Sequence, residues 1–375
     1  MNKLKDVISV KRLVELVSML ILYVFFDAGG AKKYAVALVF CVIFLFLGRK
    51  KQWSADALLV VGIPAVVYVL TGAFSTLVNG SAQMMTVKIL MYTLMPLLLA
   101  FSMYTFYGEN MDHIVNVQIL GCLLAYALFD APTFIKIFRW ESVFAFSFGI
   151  FALYYAYNRK WKLFVLASLF MLFAEKRIAI LALAAGLFVM GLMWVFRKSK
   201  KLAMIIWGAV GIAVFAYIYL IYSGAVEAFC WGANINTNGR VEMYGRMAQE
   251  AKFSLTYPGK GLGMVEQLLE HWNILTYVNL HNDLLKFYVE LGFVGFLLYL
   301  ISYGVMFHLT EKKFDESKMS FLLVLSVYTM MMFTTDNVSI YMLYLVPLYS
   351  VFFAVLASKK AKPEERVCDD KKDLE

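Results

Sequence analysis

The chain has 375 residues, of which 62% are hydrophobic and 16% are charged, whereas a typical soluble domain is about half apolar and a quarter charged. Long apolar runs recur along most of the chain, which excludes a soluble domain with one anchor and a β-barrel of short alternating strands. The formal net charge of +9 comes from short basic clusters between apolar runs, a pattern that sets membrane orientation and does not indicate nucleic-acid binding.

The apolar runs predict an all-α polytopic membrane protein with about 12 transmembrane helices. We predict spans at 13–27, 34–48, 56–76, 87–106, 114–130, 141–157, 161–174, 178–196, 202–222, 281–308, 319–335 and 339–357. The chain then divides into transmembrane helices one to nine (1–222), one large extracytoplasmic loop (223–280), helices ten to twelve (281–357) and a disordered cytoplasmic tail (358–375).

Basic clusters alternate with the predicted spans. Those assigned to the cytoplasmic side are Lys11 with Arg12, 49–51, Arg159 with Lys160, 197–201, Lys312 with Lys313, and Lys359 with Lys360. The positive-inside rule therefore predicts a multi-pass protein of the plasma or inner membrane with both termini in the cytoplasm. The basic and then apolar N-terminus is followed by no small-residue cleavage site, so we expect a retained first helix.

The loop at 223–280 is the exception to otherwise short connections. Asn238 or Thr237 is predicted to cap a helix that starts near Arg240. Its apolar face would consist of Val241, Tyr244, Ala248 and Ala251. The run 258–263 (PGKGLG) breaks the chain, and a second short helix is predicted at 264–272. A loop of this length is typically functional, and two amphipathic helices would let it lie on the membrane surface.

Basic residues on the predicted outer face run against the orientation bias, so another role must explain them. The distinctive ones flank central spans or lie in the large loop: Lys136, Arg139, Lys176, Arg177, Arg240, Arg246, Lys252 and Lys260. An arginine side chain is a planar fork that forms two parallel, charge-assisted hydrogen bonds with phosphate. Several arginines that meet at the outer membrane surface would form a pyrophosphate site.

Each arginine also has a simpler interpretation. Arg177 lies between two spans joined by almost no loop, where an interfacial arginine could pair with Glu175. Arg240 stands one turn before Tyr244 and could be a solvated loop charge. Arg246 lies about a third of a turn off the face of Arg240, so the two are not expected to serve one ligand atom equally.

His281 begins the tenth predicted span, where an imidazole suits proton transfer near neutral pH. It could equally be a helix-start residue that hydrogen-bonds to loop backbone, and Asn282 or Asp283 could cap the helix. Further into the span, Lys286 and Glu290 are one turn apart and are predicted to neutralise each other as a pair.

Two further signatures argue against a nucleotide or metal site. The run 259–263 (GKGLG) has no preceding strand and no following Lys-Ser or Lys-Thr, so a nucleotide phosphate loop is not expected. No cluster of His, Cys and acidic residues has metal-ligand spacing, and no predicted outer loop carries a DxD pair. We therefore expect neither a metal nor another cofactor.

The segment 281–298 (HNDLLKFYVELGFVGFLL) resembles the HNxxL…xELGxxGxxxxL signature of the superfamily of O-antigen ligases and Wzy-type polysaccharide polymerases. Gly239-Arg240, a helix and then 257–263 (YPGKGLG) are similar to the R…hPlxGxGxG stretch of that superfamily. Arg177 stands where the family carries an arginine between two central spans, often in a Ser-Arg pair, and Lys176 replaces the serine here.

The resemblance implies a GT-C-like glycosyltransferase that transfers a glycan from undecaprenyl pyrophosphate on the outer leaflet, with inversion and without metal. It implies that Arg177 and Arg240 bind the pyrophosphate and that His281 assists the acceptor hydroxyl or the donor phosphate. The residues expected to bind substrate around them are Arg246, Arg139, Lys176, Tyr244, Asn282 and Asp283. Expected partners are undecaprenyl-pyrophosphate-linked oligosaccharide, membrane lipid, and flippase and chain-length regulator proteins.

Several functions remain open. A polymerase of O-antigen, capsule or exopolysaccharide repeat units is favoured, because nothing in the sequence indicates the outer-membrane system that a ligase to lipid A core needs. A ligase-type transferase to another acceptor would share the same motifs. A flippase for lipid-linked oligosaccharide would grip the same pyrophosphate, but its cavity should be lined by charges on several spans. A scaffold or sensor would have no need of the outer basic residues.

Overall fold

The computed structural model describes residues 10–27, 32–48, 54–80, 84–130, 132, 141–272 and 279–358. These residues form helices and connections and contain no β-strand. The α-helices are α1 (Val10–Asp27), α2 (Lys32–Gly48), α3 (Ala55–Asn79), α4 (Met84–Tyr107), α5 (Met111–Ala125), α6 (Phe144–Tyr157), α7 (Trp161–Phe173), α8 (Arg177–Val195), α9 (Lys200–Tyr222), α10 (Ala225–Gly232), α11 (Arg240–Gln249), α12 (Met264–His271), α13 (Asp283–Lys313), α14 (Glu316–Phe333) and α15 (Met342–Ala357).

The helical prediction is confirmed for the described residues. Each predicted span coincides with a helix, the two helices predicted in the large loop are α11 and α12, and α10 is an additional short helix. Within the described ranges, five helical stretches are long and apolar enough to cross a membrane: Ala55–Asn79, Met85–Asp130, Arg177–Val195, Lys200–Tyr222 and Asp283–Lys313. The count of 12 spans and the outer placement of the loop stay predictions, and the predicted tail lies outside the described residues beyond Ser358.

The bundle is organised around α14 and α15, whose side chains are buried on nearly all faces. Helix α8 packs along α14, α4 along α15, and α3 along α13. At the periphery, α8 and α9 expose large apolar side chains such as Phe188 and Ile212. A helix that is apolar all round, with one face packed and one exposed, suits contact with lipid.

Helix α13 contains a break at Gly292, whose φ of 74° and ψ of 178° are non-helical and essentially restricted to glycine. The break leaves backbone N–H and C=O groups near Gly292 without their helical partners, and the segment 257–261 forms hydrogen bonds with them. Three hydrogen bonds do so: Lys260 N–H to Val289 O (2.8 Å), Gly261 N–H to Glu290 O (3.0 Å) and Phe293 N–H to Tyr257 O (3.0 Å). A Cβ added at Gly292 would lie 2.3 Å from the Pro258 carbonyl carbon. We call this contact between 257–263 and Gly292 the glycine joint.

Lys286 and Glu290, which were predicted to pair, form no direct ion pair within the described residues, although each lies within electrostatic reach of the other. The Lys286 ammonium instead forms a buried ion pair with Glu266 of α12. Glu290 accepts a hydrogen bond from Gly263 N–H at 2.9 Å and lies within 3.4 Å of the Tyr68 hydroxyl. Charged groups at membrane depth are costly unless they are paired. These contacts therefore fix the loop segment that contains α12 against α13, which explains both charges structurally.

Candidate functional site

One end of the helix bundle collects polar side chains from separate parts of the chain. Helices α8 and α13 begin there, and α14 ends there. The connection from α14 to α15, residues 334–341 (TTDNVSIY), follows a buried apolar helix. We call it the polar connection. Four of the predicted site residues contact it: Lys176, Arg240, His281 and Asp283.

Asp336 is the anionic centre of the polar connection, with a side chain that is 4% exposed. Its Oδ1 lies 3.6 Å from His281 Nδ1, and its Oδ2 lies 3.7 Å from Lys176 Nζ. Burial by itself would raise the pKa of Asp336, but the His281 ring, the Lys176 ammonium and the Asn337 N–H together hold that pKa below its ordinary value. Asp336 is therefore an anion at neutral pH.

His281 is held in a backbone conformation that residues other than glycine rarely adopt, with a φ of 55°. Its N–H donates to Asn337 Oδ1 at 2.9 Å, and its carbonyl accepts from the Tyr244 hydroxyl at 2.7 Å. Such strained residues persist only where the surroundings fix them, and they cluster at functional sites. The ring is 25% exposed. Nδ1 faces Asp336 at 3.6 Å and has no hydrogen-bond partner within the described residues. A slight shortening of this contact would let Nδ1 donate its proton to Asp336 and would leave Nε2 as the basic nitrogen.

The residues next to His281 have internal partners. Asn282, one of the two residues predicted to cap α13, does so by accepting a hydrogen bond from Leu285 N–H at 2.9 Å. Its Nδ2 donates to the Tyr217 hydroxyl at 3.0 Å. The buried Asp283 carboxylate accepts from Ser339, from the N–H at 2.8 Å and from the hydroxyl at 2.6 Å. Together with the buried Tyr244, these residues orient His281 and the polar connection. Whether they also contact substrate stays a prediction.

Arg240 reaches the polar connection from the first turn of α11. Its Nη1 donates to Thr335 O at 3.2 Å, next to Asp336 in the chain. The predicted apolar face of α11 is confirmed, because Val241, Tyr244, Ala248 and Ala251 are all buried. This packing holds the helix in place and presents Arg240 at its start, half-buried.

The predicted capping of α11 by Asn238 or Thr237 is wrong. The N-cap is Gly239, and no side chain forms a capping hydrogen bond. Gly239 has a φ of 76°, which glycine adopts without strain. The glycine before Arg240 is therefore used to turn the chain sharply into the helix.

The turn between α7 and α8 brings Lys176, and not Arg177, against Asp336. The Lys176 side chain is 17% exposed, and its Nζ also lies 3.6 Å from Glu141 Oε2. Arg177 is the first residue of α8 and is exposed, and no ion pair joins it to Glu175 within the described residues. The role of Arg177 in pyrophosphate binding therefore stays a prediction. Lys176, which the sequence marks as a departure from the family pattern, is the cation that the fold places beside the carboxylate.

Arg246 is exposed and stacks on Trp272, with its guanidinium carbon 4.4 Å from the ring centroid. It forms no contact with the polar connection in the described part of the chain. Arg139 and Lys136 lie outside the described residues. Their predicted participation in the site stays a prediction.

The arrangement can accept a proton and stabilise an anion within one site. A buried carboxylate that faces a histidine ring sets its tautomer and stabilises the imidazolium formed when the ring takes a proton. Lysine and arginine side chains stabilise negative charge that develops on a leaving phosphate, most strongly where water is excluded. Lys176, Arg240 and the imidazole of His281 all meet the short segment 335–337.

The polar connection itself was not predicted to contain site residues. Asp336 and Asn337 lie in what looked like a minimal gap between two apolar spans. The available signal was the run of four polar residues, Thr334 to Asn337, between two strongly apolar helices. Polar residues at the end of an otherwise apolar helix are compatible with a simple loop, so only their spatial neighbours distinguish Asp336.

The acidic, histidine and cysteine side chains of the described residues are dispersed. Within the described ranges, no group of three or more His, Cys, Asp or Glu side chains could hold a metal ion. The expected independence from metal remains a prediction about activity.

Comparison with known families supports the resemblance seen in the sequence. Residues 162–300 match the Wzy_C family model, described as O-antigen ligase. The matched region runs from α7 into α13 and includes Arg177, Arg240 and His281. No curated protein matches the chain. The match over 162–300 supports similarity to membrane enzymes of the O-antigen ligase and polymerase type.

Proposed function

We propose that the protein is a polysaccharide polymerase that joins undecaprenyl-pyrophosphate-linked repeat units on the outer leaflet of the plasma or inner membrane. The observation that carries the proposal is the convergence of Lys176, Arg240 and His281 on the segment 335–337. The product would be an O-antigen, capsule or exopolysaccharide chain. The family match over 162–300 supports this class of reaction.

In the proposed reaction, an acceptor hydroxyl attacks the anomeric carbon of the donor glycan while the bond from that carbon to the pyrophosphate oxygen breaks. The hydroxyl proton passes to Nε2 of His281, and Asp336 stabilises the resulting imidazolium. Undecaprenyl pyrophosphate leaves with increased negative charge, which Arg240 and Arg177 stabilise through charge-assisted hydrogen bonds. Attack from the face opposite the leaving group inverts the anomeric configuration, and no metal takes part.

A ligase-type transferase to another acceptor is the main alternative, because it would need the same donor site. A flippase would also need cations for the pyrophosphate, but it has no step in which a hydroxyl loses its proton. The contact between His281 and Asp336 therefore favours an enzyme over a flippase.

The decisive experiment supplies the purified protein with a defined undecaprenyl-pyrophosphate-linked repeat unit and separates the products on a gel. A ladder of products that differ by one repeat unit is expected. The His281→Ala variant should yield no ladder, whereas Arg197→Ala, which removes an exposed charge from the opposite end of α8, should yield the parent ladder. Transfer of a single unit to another acceptor without lengthening would identify a ligase, and movement of the donor across vesicles without transfer would identify a flippase.

A further inference from the structure

The end of the bundle opposite the candidate site contains a concavity. Helix α8 runs from Arg177 at the candidate site to Val195 at this end, and α14 begins here at Glu316. A groove of about 1290 Å³ lies between the turn from α6 to α7, the end of α8 and the start of α14. Pockets for small organic ligands measure about 300–1,000 Å³. We call this concavity the basal groove.

One wall of the basal groove is apolar and comes from α8 and α14. It includes Leu187, Met190, Gly191, Trp194, Phe321 and Val324. A Cβ added at Gly191 would meet no atom within 4 Å, so the groove is open at that point. Trp161 and Trp194 stand at its edge and are 59% and 69% exposed. Tryptophan side chains are enriched at the level of lipid headgroups.

The polar part of the groove carries an excess of positive charge. Its charged lining residues are Arg159, Lys198 and Lys318 against Asp315 and Glu316. Lys318 and Asp315 are used within the fold, because Lys318 Nζ donates to carbonyls at the end of α15 and Asp315 caps α14. The charged side chains that remain for a ligand are Arg159 and Lys198, opposed by the single carboxylate of Glu316.

Arg159 and Lys198 lie on two separate turns and share an uncommon backbone conformation, with φ values of 57° and 58°. The Arg159 side chain is exposed, and its guanidinium has no partner within the described residues. Lys198 Nζ donates to Ser317 Oγ at 2.6 Å, which leaves two of its three protons for another acceptor.

We propose that the basal groove binds an anionic glycerophospholipid, with the headgroup phosphate at Arg159 and Lys198 and an acyl chain along the wall formed by Gly191 and Trp194. A ligand with an anionic head and an apolar chain matches the two halves of the lining. Basic pockets between transmembrane helices on the cytoplasmic side are the usual setting for such headgroups. Under the predicted topology, the groove opens on the cytoplasmic leaflet. The assignment is independent of glycosyl transfer at the other end of the bundle.

The test is a titration of delipidated, detergent-purified protein with phosphatidylglycerol, followed by native mass spectrometry. Phosphatidylcholine with the same chains and free glycerol 3-phosphate are the comparison ligands. The parent protein should bind phosphatidylglycerol at least about tenfold more tightly than phosphatidylcholine, and Arg159→Gln with Lys198→Gln should remove that preference. The matched control, Lys201→Gln with Lys312→Gln, removes two exposed charges outside the groove. This control should keep the preference for phosphatidylglycerol.

A second pair of variants tests the acyl-chain wall without changing charge. Gly191→Leu fills the groove and should weaken phosphatidylglycerol binding, whereas Gly211→Leu, on α9 and equally free of neighbours, should not. If replacement of Lys198 disturbs the turn, Arg159→Gln alone is the test variant, since the Arg159 guanidinium has no contact to lose within the described part of the chain. Equal binding of the two lipids, or an unchanged affinity in Gly191→Leu, would overturn the proposal. Displacement of phosphatidylglycerol by glycerol 3-phosphate at the same concentration would show that the ligand is a soluble phosphate.

Discussion

The carboxylate of Asp336 lies 3.6 Å from Nδ1 of His281, although the two residues belong to connections at the ends of different helices. This contact links the predicted base to an anion that sequence analysis did not identify. We expect His281→Ala to lower turnover by about a hundredfold to ten-thousandfold, with donor binding little changed. Asp336→Asn should also lower turnover, because it weakens the same proton transfer to His281. The variant with both substitutions should therefore turn over no more slowly than His281→Ala.

The measurement is single-turnover transfer together with donor binding in the same preparation. Independent, additive losses in the double variant would show that Asp336 does not act through His281. If His281→Gln restores part of the rate, the residue positions the acceptor by hydrogen bonding. Parent activity in His281→Ala would show that another residue is the base. Asp283 would then be the next candidate, and its carboxylate would have to release the two hydrogen bonds from Ser339.

Arg240 is expected to contribute to turnover through both its positive charge and the planar geometry of its guanidinium. Arg240→Ala is expected to lower turnover by about a hundredfold to a thousandfold, as for loss of a group that stabilises transition-state charge. Arg240→Lys should recover little, because a single ammonium cannot form two parallel hydrogen bonds. Arg177→Ala should behave like Arg240→Ala if it also binds the pyrophosphate.

These variants are checked by polymer length on gels and by the amount of protein in the membrane. The charge control is Arg197→Ala, at the far end of α8. Long chains from both Arg177→Ala and Arg240→Ala would contradict the pyrophosphate assignment. Because Arg240 also binds Thr335 O, the melting temperature of each variant should be recorded alongside activity.

The glycine joint should be intolerant of a side chain. In Gly292→Ala the new Cβ would meet the Pro258 carbonyl carbon, and the backbone would be strained by at least about 1–3 kcal/mol. We therefore expect a lower melting temperature and faster proteolysis within the large loop. Gly211→Ala, in a regular helix with no neighbour near the added Cβ, should be as stable as the parent or more so. Equal stability of the two variants would mean that the joint does not hold the loop.

Transfer activity should survive an excess of EDTA. The proposed stabilisation of the leaving pyrophosphate uses arginine side chains, and no acidic or histidine cluster in the described ranges offers a cation site. The measurement is the rate of polymer formation before and after chelation. Loss of activity that Mg²⁺ or Mn²⁺ restores would count against the arginine mechanism.

The predicted topology can be tested by cysteine labelling with an impermeant reagent in intact cells. After replacement of Cys230 and Cys368, a cysteine at Lys252 should be labelled, whereas cysteines at Lys198 or Lys312 should not. The reason is that basic clusters favour the cytoplasmic side. The reverse labelling pattern would show that the protein has the opposite orientation, with the candidate site on the cytoplasmic side.

The helices could be predicted from the sequence because apolar runs separated by basic clusters give a strong local signal. Each predicted span has a helix, and the amphipathic pattern of α11 correctly identified Tyr244 and Val241 as buried. Local patterns say much less about partners. Lys286 and Glu290 are one turn apart, so the sequence suggested a pair. In the structure Lys286 forms its ion pair with Glu266 of α12, and Glu290 accepts a hydrogen bond from the N–H of Gly263.

The candidate site was predicted only in part, because local sequence patterns do not identify spatial partners. His281 and Arg240 stand out in the sequence, and the structure brings both to the polar connection. Asp336 has no distinctive local context, so only three-dimensional proximity shows its relationship to His281. The choice of Lys176 over Arg177 as the neighbour of Asp336 depends on the geometry of one tight turn, which residue types alone do not determine.

The glycine joint also determines how segments of such chains can be exchanged. Its hydrogen bonds join backbone atoms of 257–261 to backbone atoms of 289–293, so side-chain changes cannot replace them. A chimera that takes a new loop from a relative and cuts at His281 would combine two halves of the joint from different parents. A transplant bounded at Tyr222 and beyond Phe293 would keep both halves together. The large loop and the first half of α13 therefore have to be exchanged together. The recipient must also keep the side chains of α3 and α4 that bind the loop, such as Asn79, whose Nδ2 donates to Gly259 O at 2.8 Å, and Thr86, whose hydroxyl donates to Leu262 O at 2.9 Å.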